Sequence, residues 1–231
     1  ADDAYIDFEG AYKLDPSIPG IGPDLIRTAK KARRDDAYSK WKKQFPDVKD
    51  NPQWYSKTDA EVIIIHQQGW GPEKRPSPGE HRFPILQPTY GETSNAEVFV
   101  DGKSEGKTKV VYNIERTAIQ TLQKDYGALA ARRVGALAAK AVAADQIRQK
   151  NELLGAVAWI AMNVSDRADL RQWSTLPKTI QIERLYLKPG AHTIKVQGLN
   201  GSGNPTADVA EFKDISIKAG ETRFLNFRSL R

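Results

Sequence analysis

Residues 96–103 read AEVFVDGK and residues 187–196 read LKPGAHTIKV. In both stretches apolar and polar residues alternate, as in a strand with one buried and one wet face. The turn dipeptides Asp101-Gly102 and Pro189-Gly190 mark the places where the chain reverses. With five further short runs they predict about seven strands and a small antiparallel β-sandwich. The further runs are residues 61–65, 82–86, 179–185, 210–217 and 222–227.

A helical stretch separates these two segments. From Ile114 to Lys150 the apolar residues recur at helical spacing, and Asn151 is placed to cap a second helix. We therefore predict an Ala-rich helical hairpin inserted into the sandwich at about residues 114–172. Its many Ala and Gly residues favour two closely packed helices; a hairpin lying on a membrane surface is the alternative.

The N-terminal residues predict helices of another kind. In residues 1–16 (ADDAYIDFEGAYKLDP), Ala4, Phe8, Ala11 and Pro16 match the small, aromatic, small and helix-ending positions of the second helix of a tetratricopeptide (TPR) repeat. A further helix is predicted from Pro23 to Phe45. Residues 1–50 thus resemble the C-terminal end of a TPR-like array, and residues 51–231 form the sandwich domain with its insertion. A helical hairpin unrelated to TPR repeats is the alternative.

The strands on either side of the hairpin resemble two halves of one known module. Residues 96–108 (AEVFVDGKSEGKT) are similar to the opening of PEGA-type domains, and residues 187–196 are similar to their closing hairpin. The resemblance implies that the two halves form one PEGA-like sandwich.

A second resemblance covers nearly the whole chain. The order of TPR-type helices, GWGPEK at 69–74, the VDG strand, an Ala/Arg-rich helix and ADLRQWSTLP at 168–177 resembles an uncharacterised family of Gram-negative envelope lipoproteins. Residues 73–82 and 201–204 depart from that pattern. The resemblance implies a periplasmic protein, anchored to the outer membrane through a lipidated Cys upstream of Ala1. Membrane contact is then expected only through that anchor. The resemblance implies no enzymatic activity.

The amino-acid composition excludes several classes of functional site. The 231 residues include no Cys, which excludes disulfides, zinc ribbons, Fe–S clusters and thiol nucleophiles within them. The three His residues lack the spacing of a metal site, so we expect no metal and no cofactor. The run of apolar residues from Leu153 to Val164 is shorter than the roughly 20 residues that span a bilayer.

The net charge of +6 is concentrated partly in residues 24–43, which hold eight Lys or Arg. Only Tyr38 and Trp41 lie near them, and both fit the apolar face of a helix. A basic stripe without base-stacking aromatics does not indicate nucleic-acid binding. We predict a solvated helix face, with contact to an anionic lipid or polymer as the alternative.

No catalytic arrangement is predicted, and we expect no enzyme. Gly-x-Ser-x-Gly is absent, and the two Ser-x-x-Lys matches (Ser39/Lys42 and Ser104/Lys107) lack the motifs that accompany them in β-lactamases. GKSEGKT at 102–108 is one residue short of a Walker loop. Glu80 beside His81 is the best acid–base pair that the sequence offers, and an ordinary polar loop explains it better.

The binding residues predicted from the sequence are aromatic or basic. Residues 66–82 form a Pro-stiffened segment, and aromatic and Arg side chains dominate binding hot spots. Trp70 packed onto the sheet as a plug is the alternative. The predicted set is Trp54, Tyr55, Trp70, Lys74, Arg75, His81 and Arg82.

Three residues are predicted to have structural roles. Trp173, which precedes Leu176-Pro177 at the crossing from helix to strand, would staple the hairpin to the sandwich, and Arg171 would pair with Asp169 or Asp166. Together these features indicate a non-enzymatic accessory or scaffold protein that binds a protein partner in the cell envelope. The alternative is a module that binds cell-wall glycan (peptidoglycan) or another polymer.

Overall fold

The computed structural model of the protein describes residues 2–79, 83–164 and 168–230. The helices in these ranges are α1 (Asp2–Leu14), α2 (Ile21–Lys31), α3 (Asp35–Gln44), the 3₁₀ turn Pro52–Tyr55, α4 (Ile114–Lys150) and α5 (Glu152–Val164). The strands are β1 (Ala60–Gln68), β2 (Glu73–Pro76), β3 (Pro84–Gln87), β4 (Asn95–Val100), β5 (Lys103–Lys107), β6 (Lys109–Asn113), β7 (Thr179–Leu187), β8 (Gly190–Leu199), β9 (Pro205–Ile217) and β10 (Thr222–Ser229).

The chain divides into two compact units. The sandwich unit comprises Ala1–Gly69, Gly91–Asn113 and Thr179–Arg231, and the hairpin unit comprises Trp70–Tyr90 and Ile114–Lys178. The boundary predicted after residue 50 lies inside the sandwich unit. The two helices of the predicted insertion lie in the hairpin unit.

Two four-stranded sheets form the sandwich unit. The first sheet has the order β10-β1-β7-β6, and the second has the order β5-β4-β8-β9. All pairs in the second sheet are antiparallel, whereas β1 and β10 run parallel, with Ile63 opposite Phe224. The coarse prediction of an α+β fold with antiparallel sheets is confirmed. The parallel pair was not predicted, because an alternating pattern indicates which face is buried but not the direction of the neighbouring strand.

An apolar core joins the inner faces of the two sheets. Its fully buried members include Val62 and Ile64 of the first sheet and Val98, Ile194 and Val196 of the second. These residues alternate along their strands, as expected where each sheet turns one face inward.

Buried polar side chains form a second part of the sandwich interior. Gln181 accepts a hydrogen bond from Thr108 Oγ1 (2.7 Å) and donates to Thr179 Oγ1 (3.0 Å), and Thr179 donates to Gln68 (3.0 Å). His66 Nε2 lies 2.9 Å from Ser229 Oγ. Buried polar groups cost little free energy when they are hydrogen-bonded to one another, so this network is compatible with a stable sandwich.

The N-terminal helices have a core of their own. Leu25, Ile26 and Ala29 of α2 are fully buried, and Trp41 of α3 donates from Nε1 to Tyr5 OH (3.2 Å). The single helix predicted from Pro23 to Phe45 is wrong. It is broken at residues 32–34, where Arg33 adopts a left-handed conformation (φ 57°). The acidic first turn Asp35-Asp36 then favours a new helix start, because carboxylates complement the positive end of the helix dipole.

The hairpin unit contains α4, α5 and the β2–β3 ribbon. α4 begins and ends where the sequence predicted, and the cap prediction is confirmed, since Asn151 Oδ1 accepts from Leu154 N at 3.1 Å. The three Gly and three Pro of residues 69–81 predict a loop, and this prediction is wrong, because β2 lies within that segment and pairs with β3. Among the described residues, no helix is both long and apolar enough to cross a membrane.

Candidate functional site

An open cleft of about 940 Å³ lies in the sandwich unit, between the N-terminal helical segment and the outer face of the first sheet. We call it the sheet–helix cleft. Its helical wall includes Phe8, Ile18 and Trp54, and its sheet floor includes Ile63 and Phe224. A concave, mainly apolar surface of this size is typical of a binding site in a folded domain.

Strand pairing assembles the apolar floor. Ile63 and Ile65 project outward from β1, because Val62 and Ile64, which alternate with them along the strand, belong to the inner core. Phe224 lies opposite Ile63 on one side, and Ile182 lies opposite Ile65 on the other. Phe224 is 60% exposed, so the floor remains open to a ligand beside β10.

Four charged side chains neutralise one another at one end of the cleft. Arg184 of β7 forms ion pairs with Glu61 and with Asp24 (3.2 Å), and Arg27 pairs with Asp24 at 2.8 Å. All four side chains are at most 21% exposed. Because these charges are already paired, they shape the wall of the cleft and tie α2 to the first sheet.

Two tyrosine hydroxyls lie near this charged group. The hydroxyl oxygens of Tyr55 and Tyr186 are buried and have no hydrogen-bond partner within the described chain. Burial raises the pKa of Tyr186 to about 12 and raises the pKa of Tyr55 further, because a phenolate would be poorly solvated. Both phenols therefore stay protonated and neutral at physiological pH.

Trp54 is a predicted binding residue that lines the sheet–helix cleft. It is half-buried and lies edge-on to Tyr55, with the ring centroids 6.3 Å apart. Lys30 Nζ lies 4.4 Å from the centroid of the Tyr55 ring. The predicted pair Trp54 and Tyr55 is thus built into the helical wall, with only Trp54 at the cleft.

The other described members of the predicted binding set belong to the hairpin unit. Trp70 is 41% exposed, and Arg75 pairs with Glu73 at 2.7 Å. Lys74 lines a cavity of about 420 Å³ together with Phe83 and residues of α4. His81 and Arg82 lie outside the described residues, so the site predicted around Trp70 stays a prediction.

The residues predicted to be structural have different surroundings. Arg171 forms a bidentate ion pair with Asp169, at 2.8 and 3.0 Å, and this pair holds the pKa of Asp169 well below its usual range. Asp166 lies outside the described residues. Pro177 is buried, whereas Trp173 is 73% exposed. The stapling role of Trp173 concerns two separate units and stays a prediction.

Within the described ranges, no set of side chains is arranged for catalysis. His66 and Ser229 form a histidine–hydroxyl pair, but both side chains are fully buried, and no group partners His66 Nδ1 to orient the ring. A catalytic Ser–His pair needs access to substrate and a partner for the second ring nitrogen. Glu80 and His81 lie outside the described residues. No cluster of three His, Cys, Asp or Glu that could hold a metal occurs in the described part of the chain.

The most informative cleft residues were not predicted from the sequence. Arg184 and Phe224 look like ordinary strand residues, and only strand register places them beside Ile63. The run EVIIIH at 61–66 was the one sequence signal that pointed to a covered outer face of the first sheet. Apolar residues on both faces of this strand indicate that something covers each side of the sheet.

Comparison with known proteins gives no match: no protein-family model, curated protein or solved structure resembles the chain significantly.

Proposed function

We propose that the protein is a non-enzymatic accessory or scaffold protein of the bacterial cell envelope, and that the sheet–helix cleft holds a segment of a partner protein. The observation that carries this proposal is the open apolar floor, where Phe224 is 60% exposed beside the half-buried Ile65 and the buried Ile63. A large apolar side chain left exposed on a concave surface is typical of protein-binding sites. Asp24, Arg27, Glu61 and Arg184 beside this floor are paired with one another, which favours an apolar occupant over a charged one.

The position of β10 supports an extended occupant. β10 is the outermost strand of the first sheet and, within the described chain, hydrogen-bonds along its length only to β1. The free edge of such a strand presents backbone donors and acceptors to an incoming strand. A partner segment paired with β10 would place alternate side chains over the cleft beside Phe224. We therefore propose a segment with apolar residues at every second position.

The same proposal includes a PEGA-like sandwich that follows the end of a TPR-like array. Contacts between the two resembling segments support the PEGA-like assignment, since Asp101 of the VDGK turn hydrogen-bonds to the first residues of β8. The TPR-like assignment is supported by Phe8 and Ala11, which pack against the core of α2 and α3.

We propose the location and partner on the resemblance to envelope lipoproteins. The protein would lie in the periplasm, with an outer-membrane anchor upstream of Ala1, and its partner would be another envelope protein. Nucleic acid is not expected as a partner.

Site-specific photo-cross-linking tests the proposal directly. The chain has no Cys, so Phe224→Cys can carry a single benzophenone label at the cleft. Val209→Cys on β9 is the matched control, because Val209 is also exposed (52%) on a strand of the same unit but does not line the cleft. In intact envelopes we expect one defined protein adduct from position 224, mapped to an apolar segment, and none from position 209. Equal labelling from both positions, or none from 224, would contradict the proposal.

Cell-wall glycan is a second candidate, because Asn51, Gln53 and Trp54 line the same cleft. Amide groups beside an indole ring provide hydrogen bonds and a stacking surface for a sugar. Retention on purified peptidoglycan by the unmodified protein and by Trp70→Ala, with loss in Trp54→Ala, would assign a glycan to the cleft. The protein-binding proposal predicts no retention for any of the three.

A further inference from the structure

The helix α5 exposes an unusual amount of apolar surface. Glu152 is its only charged residue, and Leu153, Val157 and Ile160 are 75%, 56% and 60% exposed. At about 100° per residue these three side chains lie on one face of the helix. Leu154 beside them is 56% exposed. They form a continuous surface, which we call the α5 face.

The α5 face points away from α4. Gly155 is buried, and a Cβ built on it would lie 2.4 Å from Arg148 Cβ, so the two helices approach each other at this residue. Gly155 is two residues from both Leu153 and Val157, which places it on the opposite side of α5. Contact with α4 therefore leaves the α5 face uncovered.

The hairpin as a whole is amphipathic, with an apolar layer and a basic layer. α5 is almost purely apolar, whereas α4 carries most of the charges. The two helices together hold seven Lys or Arg against four Asp or Glu, a net +3 that is half of the chain's +6. The basic residues are Arg116, Lys124, Arg132, Arg133, Lys140, Arg148 and Lys150.

We infer that the α5 face docks on an anionic lipid surface. An apolar face on a basic hairpin gains from hydrophobic burial among the acyl chains, and the net positive charge of the hairpin adds attraction to anionic headgroups. α5 has 13 residues and is therefore about 20 Å long, so it lies in the interface and does not cross it.

The charge distribution favours lipid over a second copy of the chain as the occupant. Two hairpins joined through their α5 faces would gain nothing from their basic layers, because like charges do not attract. An anionic membrane attracts the same layer. The inference concerns the hairpin unit and is independent of the function proposed for the sheet–helix cleft.

A single fluorescent label reports docking of the α5 face. Leu153→Cys in the whole 231-residue chain carries an environment-sensitive nitrobenzoxadiazole group, and Leu14→Cys, at a 90% exposed position in α1, is the control. On adding phosphatidylcholine vesicles that contain phosphatidylglycerol, we expect the emission at position 153 to shift to the blue and that at position 14 to stay unchanged. No shift at 153, or an equal shift with neutral vesicles, would overturn the inference. A shift that depends on protein concentration without vesicles would overturn it in favour of self-association.

Vesicle co-sedimentation measures the energetic contribution of the face. We compare the triple variant Leu153→Ser, Val157→Ser, Ile160→Ser with the control Ile6→Ser, Leu14→Ser, Val209→Ser, which removes three exposed apolar side chains elsewhere. The partition coefficient of the α5 variant on anionic vesicles should be at least about tenfold lower than that of the control variant, because three apolar side chains no longer enter the interface. Similar partition of both variants would overturn the inference. Circular dichroism checks that the helix content of each is retained.

Discussion

The carboxylate of Asp101 holds the imidazole of His192, with Oδ2 lying 2.7 Å from Nδ1. The other ring nitrogen, Nε2, lies 2.8 Å from the carbonyl oxygen of Lys188, and Asp101 Oδ1 accepts from Thr193 N at 2.8 Å. Because both ring nitrogens face acceptors, the doubly protonated ring satisfies this arrangement best. Hydrogen bonding to Asp101 accordingly raises the pKa of His192, and that to Thr193 N lowers the pKa of Asp101. The pair connects the turn after β4 to the start of β8.

The pH dependence of this pair is testable with Asp101→Asn. The contribution of His192 is fully present below its unfolded pKa of about 6.5 and is lost as the pH rises through its raised folded pKa. The contribution of Asp101 is present above about pH 3.9 and is lost on acidification. We expect the variant to lose about 1 kcal/mol of unfolding free energy near pH 6 and less near pH 9. Asn tolerates the left-handed backbone at this position (φ 51°), so the charge alone changes. A pH-independent difference in urea denaturation would contradict this prediction.

His66 should make the protein sensitive to acid. Burial lowers its pKa to about 4, so between pH 6.5 and 4 the unfolded chain binds a proton that the folded protein excludes. The contribution of His66 to stability is therefore fully present above about pH 6.5 and falls by about 3 kcal/mol as the pH approaches 4. His66→Gln keeps a hydrogen-bonding group toward Ser229 but cannot titrate. Urea denaturation from pH 7 to 4 should show a smaller decline for the variant, and equal declines would refute the role of His66.

Arg184 should be important for stability although it lies on the outer face of the first sheet. Removing its guanidinium leaves Asp24 and Glu61 as partly buried carboxylates, with Arg27 as their remaining ion-pair partner among the described residues. We expect Arg184→Met to lower the unfolding free energy by about 2–3 kcal/mol. Arg171→Met is the control, because Arg171 also pairs with an acid but is 91% exposed, and it should leave stability unchanged within error. Equal effects in chemical denaturation would show that burial of the pair is unimportant.

Two glycines should respond in opposite directions to replacement by alanine. At Gly198 in β8 a Cβ would lie 2.6 Å from Thr206 Oγ1 and 3.0 Å from the Asp208 carbonyl oxygen, so Gly198→Ala should cost about 2 kcal/mol. Gly127 in α4 has nothing within 4 Å of such a Cβ, and Gly127→Ala should stabilise the helix by about 0.5–1 kcal/mol. Melting curves followed by circular dichroism compare the two. A loss at both positions would show that the helical glycine has a packing role.

Local signals predicted the hairpin accurately. The helical period from Ile114 to Lys150 and the cap at Asn151 act within one or two turns of the chain, so the sequence contains all the information that they need. The break at Arg33 was missed, because the apolar spacing of Leu25, Ala29 and Trp41 continues across it. There the packing of α2 and α3 around Trp41 outweighs the local pattern.

The candidate site was harder to predict from the sequence than the hairpin. Trp54 and Trp70 looked equivalent as exposed aromatics in polar segments, yet only Trp54 lines the sheet–helix cleft. Phe224 was assigned to a strand correctly but not to a site. Its neighbour Ile63 is distant in the chain, and their proximity depends on a parallel strand pair that no local pattern encodes.

The sequence by itself determined most of the helices and strands, the Ala-rich helical hairpin and the absence of thiol chemistry within the chain, because period, capping and composition are local properties. The tertiary structure alone decided which strand faces meet. Register placed Ile63, Phe224 and Arg184 on one surface, and the packing of α2 over that surface made it a cleft. Burial and ion pairing are properties of that assembled surface, since each depends on neighbours brought together only by the folded sheet.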